Sequence, residues 1–477
     1  MKRCSLVPAA GRVVLTTTLI GLLMGVDWTW AASKPMASHG PSCTSPYKKK
    51  PIPAKTLREI VKSHGQWLEQ RHNPNFRRAD LCQADLRNAN LKGANLERAN
   101  LEEAVLRGAN VHQGTLQQAR LAGANLSSAG LEDANLSGAD LRKATLSGAN
   151  LFRAIGDEAA LYNALLIGTK LHESTFERAH FEGADLTRSD FSDANLAETY
   201  FYGANLPEAV FSGADLLDAD FRRANLTKAE FLGTNLQGAL FDGSRLKGAN
   251  LTEADLEGAY FDEADLDGAE LRRALLRAAD LRFANLQSAV LQEADMEGVN
   301  FEGAQLVKAK LPSSNLRMAI LYHAVVDETD FRNARLYNAI MIGARGTGTN
   351  FTKADLSEVY APKLSLRRAN FHEANLDSAN LVSSDLRESS FDGAVLDHAN
   401  LQEADLRDAS LTGAKLSETR LEGAKLERTN LRGANLAGGL GLTQAQINGA
   451  CLDDQTRLPE GFKRPAPCKS DKKQPTR

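Results

Sequence analysis

The chain has 477 residues, with 57 basic and 60 acidic side chains and a formal net charge of −3. The central part, residues 76–440, holds 39 basic and 53 acidic residues, so the charges are mixed and the balance is acidic. Binding to nucleic-acid phosphates requires a basic face, which this balance does not provide. We therefore expect no nucleic-acid partner.

The first 31 residues have the order of a secretory signal peptide. Basic residues at Lys2 and Arg3 precede a mostly apolar stretch over 13–26 and the small residues Ala31 and Ala32. The apolar stretch is shorter than the roughly 20 residues of a membrane span. We expect cleavage after residue 31, a mature protein without a membrane span, and a periplasmic or secreted location. An uncleaved membrane anchor is the alternative.

Two segments precede the main part of the chain. Residues 32–54 include the basic run Lys48 to Lys50, and we expect a flexible basic linker there. The stretch from Leu57 to Leu68 has apolar residues at helical spacing. This spacing predicts a helix within residues 55–75, directly before the repeats.

From residue 76 to residue 440 the sequence repeats with a period of five. Almost every fifth residue is Leu or Phe and the residue two before it is Ala, as in Ala89-Asn90-Leu91-Lys92-Gly93. Five residues advance around an α-helix by about 140° beyond a full turn, so the pattern forms no apolar stripe and excludes helices. In extended chain the next Ala points inward only if each pentad turns a corner. The repeat predicts a coil with one pentad per side.

Phenylalanine indicates how many sides each coil has. From Phe181 onward, every Phe at a core position falls on alternate pentads, and Phe331, Phe351, Phe371 and Phe391 recur every 20 residues. The number of sides is therefore even, and two sides would leave no core, so we predict four. The 73 pentads then give about 18 coils, and a spacing of about 4.8 Å gives a rod about 87 Å long.

The repeated A-(D/N)-L-x-x pattern resembles that of the pentapeptide-repeat proteins over about three quarters of the chain. The resemblance implies an all-β solenoid, a right-handed quadrilateral β-helix over 76–440. Because an open solenoid end exposes core and strand edges, we assign 55–75 to an N-terminal capping helix and 441–462 to a C-terminal cap. Residues 463–477 are expected to form a disordered tail.

The resemblance says little about function. Some members of the family protect or inhibit DNA gyrase by imitating acidic duplex DNA, but a secreted chain would not meet gyrase. A narrow, filled core leaves no room for a substrate or prosthetic group. The sequence also contains no recognisable catalytic motif. We expect no enzymatic activity, no cofactor and no metal.

Four cysteines remain once the signal peptide is removed. Cys43 and Cys82 lie near one end of the chain, and Cys451 and Cys468 lie near the other. In an oxidising compartment this arrangement predicts two short-range disulfides that hold the caps. The sequence does not choose among the three possible connectivities, and free thiols are the alternative.

One side of the predicted coil collects most of the tyrosines. Six of the seven tyrosines in the repeats lie directly before or after the core residue of the same side, and His180 occupies the same column as Tyr200, one coil away. Exposed aromatic clusters often mark partner sites, and Leu240, Ile320 and Ile340 add apolar surface here. The partner-binding candidates are therefore Tyr162, His180, Tyr200, Tyr202, Tyr260, Tyr322 and Tyr360. Aromatic packing that shields strand edges is the alternative.

The repeat changes its core residue in two places without changing its length. Gly156 replaces a core Leu, and between Gly346 and Leu364 both Gly346 and Ala361 replace core residues. Leu364 in turn replaces an Ala. We expect a local bulge at each place, with a functional role left open.

Three functional hypotheses follow. The first is a scaffold that binds a protein or cell-envelope partner on the tyrosine-bearing side. The second is a structural rod, which would tolerate substitutions on its walls and deletions of whole 20-residue units. The third is an acidic decoy that captures basic partners in a salt-sensitive way. The sequence leaves the oligomeric state and the identity of the partner open.

Overall fold

The computed structural model describes residues 43–73 and 75–465. The chain divides into two compact units, and almost all described residues belong to the second, Ser45–Arg477. The predicted signal peptide over 1–31 lies outside the described residues. The helices and strands of the second unit are α1 (Ala54–Glu69), β1 (Arg345–Thr347), β2 (Ser365–Arg367) and α2 (Gln444–Gly449).

Between the two helices the chain coils with four pentads in each turn. The residue before each core position pairs in parallel with the residue 20 positions later, as Asn90 pairs with Asn110. The N–H group of core residue Leu81 donates to the carbonyl of Asn100 at 2.7 Å, and this bond recurs from coil to coil. The constant register of 20 residues confirms four sides per coil. The fold is the predicted right-handed quadrilateral β-helix.

We number the four walls by their first core residues. Walls 1, 2, 3 and 4 start at Leu81, Leu86, Leu91 and Leu96, and each continues with every twentieth residue. The residue before a core position is called pre-core, and the residue after it post-core. Core residues and the Ala two positions before them are buried, while pre-core and post-core side chains line the outside.

A left-handed corner residue makes the turn between neighbouring walls. The second residue after the core has positive φ in every pentad from Gln83 (φ 56°) to Gly438 (φ 77°). The turn is closed by the next Ala, as when the Ala89 N–H donates to the Leu86 carbonyl at 3.0 Å. Pre-core Asn and Asp side chains also stabilise the turns, since Asn90 Oδ1 accepts a hydrogen bond from the Lys92 N–H at 3.2 Å.

The core consists mainly of Leu and Ala, and in part of the solenoid it contains columns of aromatic rings on two opposite walls, walls 1 and 3. On wall 1, Phe201 stacks on Phe221 at 4.8 Å, and on wall 3, Phe211 stacks on Phe231 at 4.9 Å. The two columns meet edge to face, with 6.0 Å between the ring centroids of Phe201 and Phe211. Stacked and edge-to-face contacts are the arrangements that aromatic rings prefer, so the columns add stability beyond area burial.

The first irregularity is compensated by a ring one coil away. Gly156 is a core position of wall 4, and the next core residue of that wall is Phe176. The other core phenylalanines of the four walls lie on walls 1 and 3. A Cβ atom on Gly156 would lie only 2.0 Å from the Phe176 ring. The ring therefore occupies the volume that a Leu side chain would need. The register continues through Ile155 and Thr175, so the predicted bulge is wrong.

The second irregularity is also in register and forms the two strands. Gly346 in β1 pairs with Leu366 in β2, one residue opposite one residue, so here too the predicted bulge is wrong. A Cβ on Gly346 would lie 2.7 Å from the Val326 carbonyl carbon, so only glycine allows this close backbone approach. Leu364 is buried where the repeat has Ala, and it supplies extra apolar volume in the next coil.

The segment before α1 covers the first coil. The Lys49 N–H donates to the Gln83 carbonyl at 2.7 Å, and the Asp85 N–H donates to the Lys50 carbonyl at 3.2 Å. The prediction of a flexible linker over 32–54 is therefore wrong at Lys49 and Lys50. The reason is that the first coil would otherwise have an unpaired edge, and this segment supplies the partner.

Helix α1 ends earlier than the predicted 55–75 range, at Glu69. The sequence has Pro74 shortly afterwards, which disfavours helical conformation in the residue before it. Leu57 and His64 are the buried side chains of α1.

His64 holds α1 onto the first coil through both ring nitrogens. Nδ1 accepts a hydrogen bond from the Ala79 N–H at 3.0 Å, and Nε2 donates to the Glu97 carbonyl at 2.9 Å. Only the neutral ring with its proton on Nε2 can make both bonds. Burial lowers the pKa of His64 below its ordinary value, and the nearby positive charge of Arg78 lowers it further.

The docking of α1 should therefore weaken in mild acid. The pKa of His64 is lower in the docked state than in the undocked state. Below about pH 6.5 the undocked state therefore binds more protons, and the free energy that favours docking of α1 decreases as the pH falls. We expect hydrogen-exchange protection of α1 to decrease between about pH 7 and about pH 5. His64→Gln should remove this dependence, and His72→Gln, at an exposed site, should retain it. Constant protection of the unmodified chain over this range would contradict the assignment.

The C-terminal cap continues the pairing of the last coil. Thr443 and Gln446 form a capping box at the start of α2, and Gln446 Nε2 also donates to the carbonyls of Leu421 and Ala424 at 2.9 and 2.8 Å. The disordered tail predicted from residue 463 is wrong at its first residue, because the Lys463 N–H donates to Gln444 Oε1 at 2.9 Å. Residues 466–477 lie outside the described residues.

The cysteines form disulfides at both ends of the solenoid. Cys43 and Cys82 are both disulfide-bonded, in agreement with the first of the two predicted pairs. Cys451 is also disulfide-bonded, and its predicted partner, Cys468, lies outside the described residues. The free-thiol alternative is thus wrong for these three residues.

Candidate functional site

All seven sequence-predicted binding residues lie on wall 1. His180, Tyr200 and Tyr260 lie in the pre-core column. In the parallel pairing between coils, His180 is next to Tyr200, and Tyr260 lies three coils beyond Tyr200. Tyr162, Tyr202 and Tyr322 occupy the post-core column of the same wall, and Tyr360 belongs to the pre-core column. The wall divides these residues into separate groups.

The first group consists of the stacked rings of Tyr162, His180 and Tyr200 together with Tyr202, which lies on the same coil as Tyr200 but in the post-core column. We call these four residues the aromatic ladder. The ring centroids of Tyr162 and His180 are 5.0 Å apart, and those of His180 and Tyr200 are 4.7 Å apart. The His180 and Tyr200 rings are nearly parallel, at 9°. Each inner ring face is covered by its neighbour, so the ladder is a fixed surface feature.

Glu182 fixes the middle ring of the ladder. Its Oε1 lies 3.0 Å from His180 Nδ1, while its buried Oε2 has no hydrogen-bond partner among the described residues. Burial, with the negative charge of Glu182, raises the pKa of Tyr162 to about 12. Tyr162 therefore keeps its proton at physiological pH and remains a hydrogen-bond donor.

Arginines flank the aromatic ladder on both sides. Arg142 and Arg222 each pair with the Asp of their own coil, with Nη2 to Oδ2 distances of 2.6 Å to Asp140 and 2.7 Å to Asp220. The guanidinium of Arg223 lies 5.9 Å from the centre of the Tyr202 ring, within the range of a cation–π contact. Tyr202 nevertheless keeps 41% of its surface exposed.

Tyr260 stands apart from the other candidates. Asp220 and Leu240 separate it from Tyr200 in the pre-core column. Its side chain is 48% exposed. We therefore do not include Tyr260 in the aromatic ladder.

The last two candidates belong to a second group, the apolar patch, which spans four consecutive coils of wall 1. The sequence hypothesis included Ile320, Tyr322, Ile340 and Tyr360, and the structure adds Ile342, Pro362 and Val382 to the patch. The last three occupy the post-core column below Tyr322. Counting that column in steps of 20 would have found them from the sequence.

The described part of the chain contains no group of three or more metal-binding side chains. Within the same residues, no helix is long and apolar enough to cross a membrane.

Comparisons with known proteins identify the repeat. Residues 174–251 match the description "Pentapeptide repeat region". Matches to "Pentapeptide repeats (8 copies)" cover residues 75–113, 119–155, 239–277, 279–317, 329–363, 363–393, 389–428, 404–439 and 414–454. The search of curated proteins found no significant match.

Several solved structures are similar. HetL, a pentapeptide-repeat protein involved in heterocyst differentiation in Nostoc sp. strain PCC 7120, is 29% identical over 55% of this chain and 90% of its own, with a TM-score of 0.20. Rfr23 from Cyanothece 51142 is 26% identical over 25% of this chain and 90% of its own, with a TM-score of 0.15. QnrB1, a plasmid-mediated fluoroquinolone resistance protein, is 20% identical over 43% of this chain and 89% of its own, with a TM-score of 0.18.

The repeat matches extend over more than half of the chain and coincide with the four-walled coil. The chain belongs to the pentapeptide-repeat family.

Proposed function

We propose that this chain is a non-enzymatic scaffold of the cell envelope or extracellular space, and that the aromatic ladder on wall 1 binds a protein partner. The pentapeptide-repeat fold is generally non-enzymatic, which supports the first part of the proposal. The observation that carries the second part is the stack of Tyr162, His180 and Tyr200 on an outer wall.

The aromatic ladder has the properties of a binding surface. Tyrosine is enriched at the energetic centres of protein interfaces because it buries a large area and also offers a hydroxyl group. Stacking and the contact between His180 and Glu182 already restrict these side chains, so binding costs little additional side-chain entropy. Tyr202 leaves a large aromatic surface available at the edge of the stack.

The disulfides support a location outside the cytoplasm. Disulfide bonds persist in oxidising compartments and are rare in the cytosol, where thiols are kept reduced. Cys43, Cys82 and Cys451 are all disulfide-bonded, in agreement with the signal-peptide pattern at the N-terminus.

The test is a pull-down from an envelope extract of the source organism. We expect the unmodified chain to retain a specific protein and the Tyr200→Ala/Tyr202→Ala variant to lose it. Removing two interface aromatics should weaken binding by about 30-fold or more. Tyr337→Ala is the matched control, because Tyr337 lies on wall 4 and contacts Glu358 and Arg317 there.

Circular dichroism of each variant establishes that the solenoid is intact. The same set of captured proteins from the unmodified chain and from Tyr200→Ala/Tyr202→Ala would refute the role of the aromatic ladder. Equal loss with Tyr337→Ala would also refute it, since binding would then not be specific to wall 1.

The acidic-decoy hypothesis has less support than the scaffold. Many carboxylates on the walls are already paired with an arginine on the same coil, as Asp140 is with Arg142 and Asp220 with Arg222. A polyanion mimic needs unpaired negative charge to attract basic partners.

A further inference from the structure

The apolar patch interrupts the polar surface of wall 1. In the parallel pairing between coils, Ile340 lies between Ile320 and Tyr360, so these three side chains form a continuous column. Ile340 is 36% exposed and Tyr360 is 47% exposed. An exposed apolar surface bounded by polar residues is typical of a protein interface.

The polar residues on either side of the apolar patch correspond to each other. On the N-terminal side, the flanking coils carry Asp280 with Arg282 and then Asn300 with Glu302. On the C-terminal side the order is reversed, with Asn400 and Gln402 nearest to the patch. Arg420 and Glu422 follow on the next coil, where both are exposed.

We infer that wall 1 binds a second copy of this chain in antiparallel orientation, with the two apolar patches in contact. The two-fold axis runs across the wall midway between the coils of Met341 and Ala361. In this arrangement each coil faces a coil of the partner, and pre-core residues face pre-core residues. Such a two-fold contact uses the same surface on both copies.

The arrangement matches side chains in chemical type at most positions along the wall, the exception being Ile320, which faces Asn380. Ile340 faces Tyr360, and Ile342 faces Pro362. Further out, Glu302 faces Gln402. The charged coils are complementary in their order of charges, because the Asp280–Arg282 ion pair of one copy faces Arg420 and Glu422 of the other, with Asp280 opposite Arg420 and Arg282 opposite Glu422. At the ends, exposed Tyr260 faces Leu440, and each is 48% exposed.

Charge selects this register over its neighbours. Sliding one copy by a single coil in one direction would place Asp262 against Glu422. Sliding it in the other direction would place Glu302 against Glu422. Either slide opposes two carboxylates, which disfavours the shifted contact. The unshifted register avoids both repulsions.

The size of the contact indicates a weak dimer. The coils from Tyr260 to Leu440 span about 43 Å at about 4.8 Å per coil, and a wall is about 10 Å across, so the contact buries roughly 900 Å² in total. This is below the standard size of stable interfaces, and we expect dissociation in the micromolar range. The aromatic ladder lies on coils outside this overlap and remains available to its own partner.

Sedimentation of the full secreted chain over a range of concentrations tests the inference. We expect a monomer–dimer equilibrium in the unmodified protein and a dissociation constant at least about 30-fold higher in Ile340→Lys. Leu232→Lys is the control, because Leu232 is a 46% exposed residue on wall 3. This variant should dimerise as the unmodified chain does.

A charge exchange tests the orientation. Glu422→Arg places two arginines against each other and should weaken the dimer, and Arg282→Glu/Glu422→Arg should restore it. In a parallel dimer, residue 422 would face Arg420 instead, and the second substitution would give no rescue.

Several results would overturn the inference. They are a monomer at every concentration up to about 1 mM, a dimer that Ile340→Lys leaves intact, and a failure of the charge exchange to restore association. None of these results depends on the pull-down that tests the aromatic ladder.

Discussion

Gly156→Leu is expected to destabilise the solenoid, even though it restores the regular repeat. The Phe176 ring lies 2.0 Å from the position of the new Cβ, so the added side chain has no volume to occupy. Overpacking of a filled core costs about 1–3 kcal/mol and sometimes more. The loss should appear as a lower midpoint of thermal unfolding and as faster hydrogen exchange in the coils around Gly156.

The partner substitution gives this prediction its control. Phe176→Leu alone removes part of a ring and leaves a cavity next to Gly156, so it should also destabilise. The Gly156→Leu/Phe176→Leu variant has two regular leucines and should be close to the unmodified chain in stability. The expected coupling between the two sites is about 1–3 kcal/mol. Additive effects would show that the ring does not fill the glycine's volume.

Phe211→Ala is expected to cost about 3–5 kcal/mol, since truncation of a fully buried phenylalanine combines lost burial with a new cavity. Phe211 stacks on Phe191 and Phe231 at 5.0 and 4.9 Å, and it meets Phe201 and Phe221 edge to face. The measurement is chemical denaturation combined with hydrogen exchange in nearby coils, because long repeat arrays need not unfold in a single step.

Phe301 provides a matched comparison. It is also fully buried, but its neighbours one coil away on wall 1 are Leu281 and Leu321. Phe301→Ala should therefore cost less than Phe211→Ala, by about 0.5–1.5 kcal/mol for each lost ring pair. Equal losses of unfolding free energy at both sites would show that contacts between the stacked rings add nothing to stability beyond the burial of each ring.

The sequence predicted the architecture because its signal is repeated in constant phase. A core residue in every pentad and Phe on alternate pentads determined the inward-facing positions and the number of walls. The compensation at Gly156 was not predicted, because it depends on the packing of two residues 20 positions apart, Gly156 and Phe176. Likewise, Lys49 shows no strand pattern of its own, and its conformation is determined by the unpaired edge of the first coil.

The sequence predicted which wall carries the candidate residues, but it did not predict which of them contact one another. Counting by 20 placed Tyr162, His180 and Tyr200 on one wall. Their stacking, the contact of Glu182 with His180 and the separation of Tyr260 depend on side-chain conformation, which periodicity does not determine. The apolar patch was predicted only in part, because the positions of the tyrosines do not indicate Ile342, Pro362 and Val382.

The left-handed corners limit how the outer surface of this protein can evolve. Surface positions usually tolerate most substitutions, but here the corner residue of every pentad, which lies on the outside of the coil, must adopt positive φ. From Gln83 to Gly438 none of these positions is Val, Ile or Thr, the residues that accommodate this conformation least well. The edges between walls can therefore vary only among glycine and side chains that are not branched at Cβ, whereas the pre-core and post-core columns also admit Val, Ile and Thr, as at Val290, Ile342 and Thr187.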